Sequence, residues 1–345
     1  MRALQLTEWG HTANFQEVDT PEPGAGQVLV RIGGAGACHS DLHLMHEFAE
    51  GMLPWHPPFT LGHENAGWVE ATGAGVDHLE VGQPVAVYGP WGCGTCLRCR
   101  QGMENYCEHG ATASVAGGGL GADGGMAPFM LVPKARHLVP LDSLAPIDAA
   151  PLTDAGLTPY HAVKRSLALL GAGSVAVVIG AGGLGHMAVQ VLAACTPALV
   201  VAVDRDDDAL ALVREVGANH TVTSGPEAAA EIDAISQGRG ADVVIDFVGA
   251  DDTLTLAALV TRPLGHVTLV GLAGGSLALS FFSPHYEVSV ASTYWGSLPE
   301  LMEVLALAER GQIRAHVQAV PLDDALEAYA SMRAGTLRGR AVIVP

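Results

Sequence analysis

The chain is predicted to be an α/β protein built on a doubly wound parallel sheet, and three observations predict it. A short apolar, β-branched run, Val175-Ala176-Val177-Val178-Ile179, leads without a break into Gly180-Ala181-Gly182-Gly183-Leu184-Gly185. A helical stretch from His186 to Ala194 follows, and beyond Pro197 a second apolar run, Ala198 to Val203, ends at Asp204. The alternation then continues, with a helix from Asp208 to Val216 closed by Gly217, an Ala-rich helix near Glu227 to Ile235, a strand from Ala241 to Phe247, a helix to Val260 and a strand from Val267 to Leu272. Apolar runs of this length suit strands covered on both faces, and their alternation with helices suits a parallel sheet.

The glycine turn carries the first chemical reading. In a strand-turn-helix of this kind the first glycine permits the tight turn, the second lets backbone approach a pyrophosphate, and the third lets the helix pack close to its strand. Unpaired N–H groups at the helix start then face the phosphates. Asp204 lies 19 residues past Gly185, where a carboxylate can take both ribose hydroxyls of an adenosine. A plain βαβ packing turn is the alternative, but the ordered series of strand, turn, helix, strand and acid favours a dinucleotide. Asp204 repels a 2′-phosphate and so points to NAD, with the adjacent Arg205 working against that preference.

At 345 residues the chain is long enough for two domains and an ample core. Only 15% of residues are charged, which argues against disorder. The 36 acidic against 17 basic residues, with Lys134 and Lys164 the only lysines, give a net charge of -19. Duplex nucleic acid and anionic membranes are therefore poor partners. Met1-Arg2-Ala3-Leu4 runs directly into strand-like sequence, and no apolar run is long enough to span a bilayer, so a cytoplasmic location is expected. The 6 cysteines suit a metal site in a reducing compartment better than a disulfide scaffold, since four of them fall within fifteen residues.

The segment before the glycine turn reads as β-rich. Strand-like runs at Ala3 to Leu6 and Val28 to Ile32 flank the linker Pro21-Glu22-Pro23-Gly24-Ala25-Gly26. Cys38-His39-Ser40-Asp41-Leu42-His43 then places a thiol, a hydroxyl and two imidazoles together. A buried cysteine beside a helix capped by Ser40 or Asp41 would explain the same string without chemistry. Gly62-His63-Glu64 precedes a further strand pattern, and His63 is a metal-ligand candidate with Glu64 as an outer partner or transient ligand.

The strongest metal pattern comes next. Cys93, Cys96, Cys99 and Cys107 follow C-x2-C-x2-C-x7-C, and four thiolates at this spacing can wrap one Zn²⁺ tetrahedrally. Disulfides are the alternative, disfavoured by the short spacings and the reducing compartment. A site closed by four thiolates has no position for substrate, so it is read as structural and the chemistry is assigned elsewhere. Gly117 to Gly125 reads as a surface loop, Phe129 to Val132 as a strand, and His161 to Leu170 as a helix leading into the glycine-turn strand. Phe281 to Tyr294 reads as a strand region, Pro299 to Arg310 as a helix, and the chain closes through Arg340-Ala341-Val342-Ile343-Val344.

With these motifs in order, the chain resembles the zinc-dependent medium-chain alcohol dehydrogenases over essentially its whole length, and within them the bacterial NAD-dependent secondary-alcohol dehydrogenases. Cys38-His39-Ser40-Asp41, Gly62-His63-Glu64, the four-cysteine lobe, Gly180 to Gly185 with Asp204, and Arg340 carry the resemblance. It implies a Rossmann domain, residues 154 to 291, inserted into a GroES-like β-barrel catalytic domain made of residues 1 to 153 and 292 to 345, with substrate in the cleft between them. It implies two Zn²⁺ per chain, the catalytic one held by Cys38, His63 and Asp154. Most members carry cysteine at that third position, so a cysteine-only search would miss it; Glu64 as the third ligand is the alternative.

The implied reaction interconverts secondary alcohols and ketones, with an alkoxide formed on zinc and hydride exchanged with NAD. The proton would leave through Ser40 and His43. His39 and Arg340 would contact the pyrophosphate, and Thr158, Gly180, Gly182, Gly183, Leu184, Gly185, Asp204 and Arg205 complete the cofactor set. By position, Trp55, Leu120, Leu272, Phe282, Tyr294 and Trp295 would line a pocket for a small hydrophobic alcohol or ketone; core packing or subunit contact is the alternative for this set. A polyol or amino-alcohol dehydrogenase on the same scaffold would need extra polar pocket groups. A zinc-free, non-catalytic cofactor binder would not need the ligand set or Ser40. Association as a homodimer or homotetramer is expected, as family members pair through edge strands of the cofactor domain.

Overall fold

The run Val175–Ile179 is an inner strand of a six-stranded sheet ordered His220–Thr223, Leu199–Asp204, Val175–Ile179, Ala241–Asp246, Thr261–Leu269 and Ser289–Ser292. Every neighbouring pair is parallel. Numbered by sequence this is the 3-2-1-4-5-6 order of a Rossmann fold, in which two halves run outward from the first strand and leave a ligand crevice at their junction. Helices Gly185–Cys195, Asp207–Glu215, Ala228–Ile235 and Asp251–Val260 make the crossovers. Val177, Val201, Val244 and Val267 are fully buried in the sheet, as apolar strands covered on both faces must be.

The structure, a computed structural model, describes residues 1–113 and 115–345. It comprises two units: Met1–Leu157 with Trp295–Gly311 and Ala315–Pro345, and Thr158–Tyr294 with Gln312–Arg314. The sheet above belongs to the second unit. Two elements there differ from the sequence reading. The strand expected from Val267 begins at Thr261 and tolerates a register irregularity and a positive φ at Leu264. The strand region expected over residues 281 to 294 contracts to Ser289–Ser292. Pro284 has no N–H for a ladder, and Phe281 and Phe282 are 76% and 81% exposed, so no sheet face buries the first half of that segment.

In the first unit a seven-stranded sheet runs Leu138–Pro140, Pro84–Val87, Glu64–Thr72, Val28–Gly36, Arg340–Val344 and Val317–Pro321, with Phe129–Val132 also paired to Val28–Gly36. The C-terminal strand enters antiparallel beside Val28–Gly36, so the end of the chain joins a sheet whose other strands mostly precede residue 141. A three-stranded sheet, Asn14–Glu17, Arg2–Leu6 and Phe59–Thr60, lies in the same unit. Two glycines are required sterically: a Cβ at Gly67 would stand 2.0 Å from the Arg31 carbonyl oxygen, and one at Gly36 would stand 2.0 Å from Glu64 Oε2. The helix expected over residues 161 to 170 starts earlier, at Leu157, and ends at Ser166 before a 3-10 turn. Pro159 lies in its first turn, where a missing N–H costs no hydrogen bond. No helix among the described residues is long and apolar enough to cross a membrane.

Candidate active site and metal centres

Strand pairing creates the first cluster. Gly36 and Glu64 are register partners, so Cys38, just past one strand, and His63, just before the other, emerge at the same end of the sheet. Asp154 arrives from the turn after the 3-10 segment Ala150–Thr153. Donor atoms of Cys38, His63, Glu64 and Asp154 all lie within 4.8 Å of one another. Asp154 Oδ2 is 3.9 Å from Cys38 Sγ and 3.6 Å from His63 Nε2. Cys38 is 6% exposed, His63 3% and Glu64 0%, and the Asp154 side chain is 13% exposed. A soft thiolate, an imidazole and a carboxylate converging under this degree of burial suit a zinc ion.

Glu64 is the odd member. Its carboxylate takes a bidentate pair from Arg340, with Nε 2.9 Å from Oε2 and Nη2 on Oε1. Burial opposes the Arg340 cation, but Cys38 and Glu64 outweigh it and hold the guanidinium charged. Arg340 is only 3% exposed. Its Nε and Nη2 are committed to Glu64, a pairing that sequence spacing alone could not show.

Asp41 is an outer partner that the sequence reading treated only as a cap. It is fully buried, and its Oδ2 accepts the Cys38 N–H at 2.9 Å and the Tyr329 hydroxyl at 2.6 Å. Its Oδ1 faces His63 Nδ1 at 3.1 Å, out of line for a hydrogen bond, and neither atom has another partner. Burial pushes the Asp41 carboxyl upward, but His63, Tyr329 and the Cys38 N–H outweigh it and hold the pKa below the usual carboxylate value. Burial likewise raises the Cys38 thiol, and Arg340 and His63 reverse that to a net lowering. The i, i+3 relation of Cys38 and Asp41 was the available signal; Tyr329 had none.

The remaining expected residues divide. Ser40 Oγ lies 3.3 Å from His63 Nε2, and His43 is three residues on along helix His39–His46, with Nδ1 2.7 Å from Glu47 Oε2. His39 is exposed and its ring stands 5.5 Å from that of His43. Trp295 packs edge to face on His63 at 5.6 Å and donates its indole N–H to the Thr153 carbonyl at 2.9 Å. Its φ is +54°, a strained backbone for a bulky residue that the surrounding structure must impose.

Of the residues expected to line the pocket, Trp295 lies against His63, and the others lie elsewhere in their own units. Trp55 is 6% exposed and packs on Trp9 and Phe59, and Leu120 lines the same core. Leu272, Phe282 and Tyr294 are 62%, 81% and 46% exposed in the second unit. Counting along the chain could not separate a lining residue from a core or surface one.

In the four-cysteine lobe all sulfur atoms lie within 4.8 Å. Backbone N–H groups aim at them: Thr95 and Cys96 at Cys93 Sγ (3.4 and 3.3 Å), Cys99 at Cys96 Sγ (3.5 Å), and Cys93 at Cys107 Sγ (3.4 Å). Donation from the Thr95 hydroxyl and from the Thr95 and Cys96 amides lowers the Cys93 thiol to about 5. The lobe is braced by Glu104, another residue with no sequence signal. Its carboxylate receives the Gly92 N–H at 2.6 Å, Arg136 Nε at 2.9 Å and His137 Nε2 at 3.1 Å. Burial raises the Glu104 pKa, but His137 and Arg136 bring it down to about 2.

In the second unit the glycine turn has the openings its sequence called for. Gly180 has φ +88°, and a Cβ at Gly185 would stand 1.8 Å from the Gly180 carbonyl oxygen, so the helix can pack this closely only with glycine there. A Cβ at Gly182 would meet nothing within 4 Å, which leaves the backbone open to an approaching ligand. Gly183 and Leu184 are half-buried, and Leu184 caps helix Gly185–Cys195. Asp204 Oδ2 accepts the Ala181 N–H at 2.6 Å and Oδ1 the amides of Arg205 and Asp206 at 2.7 and 3.1 Å, so the carboxylate is fixed beside the turn. Thr158 is buried in the first turn of helix Leu157–Ser166. Together the open turn, the helix start and the fixed acid fit a dinucleotide.

Comparison with known proteins agrees with this architecture. Residues 24–143 match the alcohol dehydrogenase GroES-like domain, and residues 183–310 match the zinc-binding dehydrogenase domain. The chain is 36% identical to an NAD-dependent alcohol dehydrogenase of Sulfurisphaera tokodaii, over 100% of both proteins. It is 34% identical to a D-arabinose 1-dehydrogenase (NADP(+)) of Saccharolobus solfataricus, over 100% of this chain and 97% of that one. The crystal structure of the alcohol dehydrogenase of Aeropyrum pernix superposes with a TM-score of 0.93 at 36% identity, covering 100% of each chain.

Proposed function

The chain belongs to the zinc-binding alcohol dehydrogenases with a GroES-like domain, and from that premise we propose that it interconverts secondary alcohols and ketones with NAD at the Cys38, His63 and Asp154 site. The observation that carries the reading is the convergence of these three donors within 4.8 Å, with Glu64 already engaged by Arg340. Cys38, His63 and Asp154 would hold the ion as three protein ligands, the number typical of a catalytic zinc site. Zinc held there supplies Lewis acidity toward a substrate oxygen, and NAD held at the glycine turn supplies the hydride acceptor.

The chain's own residues then have separable tasks. Cys38, His63 and Asp154 hold the metal, and Asp41 orients His63 from behind. Ser40 Oγ, 3.3 Å from His63 Nε2, is placed to take the proton of the substrate hydroxyl. His43 lies one helical turn farther along, 2.7 Å from the exposed Glu47 carboxylate, and passes the proton toward solvent. The Trp295 ring forms an apolar wall beside His63, with its only polar group occupied by Thr153. Such a wall favours hydrophobic secondary alcohols over substrates with further hydroxyls to satisfy.

The NADP-linked D-arabinose relative supplies a second reading, a sugar or polyol substrate. A panel of 2-butanol, 1-phenylethanol, ethanol, xylitol and D-arabinose with NAD and NADP decides between them. Highest kcat/KM on the two hydrophobic secondary alcohols is expected, and a lead for the sugars would overturn the preference. Asp204 is assigned to cofactor choice. Asp204→Ala is expected to weaken NAD by about tenfold, or about 1.4 kcal/mol, and to weaken NADP less, because the repulsion against a 2′-phosphate goes with the acceptor. Equal losses would remove the assignment.

We further propose that the chain self-associates through the outer strand Ser289–Ser292, beside the exposed Phe281, Phe282 and Tyr286. Light scattering on the purified protein tests this, and a monomer at micromolar concentration would overturn it.

A further inference from the structure

We propose that Tyr329, on the C-terminal helix Ala325–Arg333, is a positioning residue of the Cys38, His63 and Asp154 metal site, acting through Asp41. The proposal rests on the reading that these three residues hold zinc. Asp41 bridges two of them: Oδ2 takes the Cys38 N–H at 2.9 Å, and Oδ1 faces His63 Nδ1 at 3.1 Å. A carboxylate with so few anchors can rotate about its terminal torsion. The Tyr329 hydroxyl, 2.6 Å from Oδ2, is the only side-chain donor among the described residues aimed at that oxygen, and it comes from 288 residues away. It fixes the plane of the carboxylate and therefore the direction in which Oδ1 meets the imidazole.

Fixing Oδ1 has a chemical consequence for His63. A carboxylate oxygen 3.1 Å from Nδ1 favours the proton on that nitrogen electrostatically and leaves the Nε2 lone pair for a metal. Burial makes the arrangement rigid: Asp41 is 0% exposed, and Tyr329 and His63 are each 3% exposed. Met126 Sδ, 3.3 Å from the same hydroxyl, is a weak acceptor and leaves Asp41 the preferred partner. The C-terminal segment thus reaches the site twice, through Tyr329 on Asp41 and through Arg340 on Glu64.

The test uses the full-length zinc enzyme and Tyr329→Phe, which removes the hydroxyl and keeps the ring. Zinc release to excess dipicolinate, followed with a metal-sensitive dye, should show two phases, with the four-cysteine site as the internal reference. Tyr329→Phe is expected to lower metal affinity at the catalytic site by about tenfold and to speed its release, leaving the four-cysteine phase unchanged. The d–d bands of the cobalt-substituted enzyme should shift with it. In an Asp41→Asn background, Tyr329→Phe should add nothing further, whereas a packing role would add its full effect.

Wild-type release with an unshifted cobalt spectrum, or additive effects of the two substitutions, would overturn the proposal. Wild-type enzyme carrying zinc only at the four cysteines would overturn the metal-site reading beneath it instead. Should Tyr329→Phe fail to fold, 3-fluorotyrosine placed at position 329 keeps the hydroxyl and strengthens it as a donor. An unshifted cobalt spectrum in that protein would count equally against the idea.

Discussion

The two donor clusters of the first unit invite comparison, since each brings its ligand atoms within 4.8 Å yet they are built in opposite ways. The four-cysteine lobe is local. Its ligands fall between Cys93 and Cys107, and the turns that carry them aim backbone N–H groups at the sulfurs. The Cys38, His63 and Asp154 cluster is assembled from distant segments, and its polar surroundings come from Asp41, Tyr329 and Arg340. A closed set of four thiolates can only hold its ion. In the mixed set the fourth donor, Glu64, is engaged by the Arg340 guanidinium, and in the proposed reading the other three would hold the ion and leave a position for chemistry. Local construction therefore goes with stability, and dispersed construction with a site that the whole barrel must tune.

The sharpest way to break this comparison is to remove a ligand from the dispersed cluster. Asp154→Asn keeps the shape and removes the charge. It is expected to cut turnover on the order of 100-fold or more, together with catalytic zinc occupancy, while the lobe keeps its zinc. Metal analysis beside steady-state kinetics checks this; two zinc ions per chain with near wild-type turnover would place the third ligand elsewhere.

The converse change in the local cluster should separate stability from turnover. A structural zinc site contributes apparent binding energy on the order of 10 kcal/mol, so Cys96→Ser should lose metal and lower the melting temperature sharply. Protein that survives should retain much of its turnover number. Loss of activity at unchanged melting temperature would show that the lobe has more than a structural role.

A smaller effect is expected one step behind the lobe. Glu104→Gln weakens the brace to Arg136 and His137 and should cost about 2 kcal/mol of stability. The pH dependence has a defined sign. The folded pKa of Glu104 is lowered from 4.5 to about 2, so its contribution is complete above 4.5 and is lost as pH falls toward 2. Acid unfolding of Glu104→Gln should therefore start from lower stability at neutral pH and show a shallower decline across that interval. Parallel wild-type and variant curves would remove Glu104 from the acid response.

Much of the second unit was legible because its signals are short-range. The glycine turn, its two flanking strands and the acid that ends the second strand are all specified within thirty residues, from Val175 to Asp204. Strand periodicity failed over residues 281 to 294, where an apolar run that no sheet face covers looks the same in sequence as a buried one. The burial of the expected pocket residues was illegible for a related reason. Trp55 and Phe282 are both large aromatics, yet one is 6% and the other 81% exposed, and composition carries no direction.

The local chemistry could therefore be read from residue order: the Rossmann crossover, the spacing of four cysteines, and the string Cys38-His39-Ser40-Asp41. Resemblance to a family joined Cys38, His63 and Asp154 on paper. The folded chain was needed to show that Asp41 turns inward to Cys38 and His63, that Tyr329 reaches it from 288 residues away, and that Arg340 lies on Glu64. The physical reason is that helix, turn and thiolate-loop preferences act over a few residues. The partners of a buried carboxylate are instead set by which distant strands pair, and in this chain the last strand, Arg340–Val344, pairs antiparallel with Val28–Gly36.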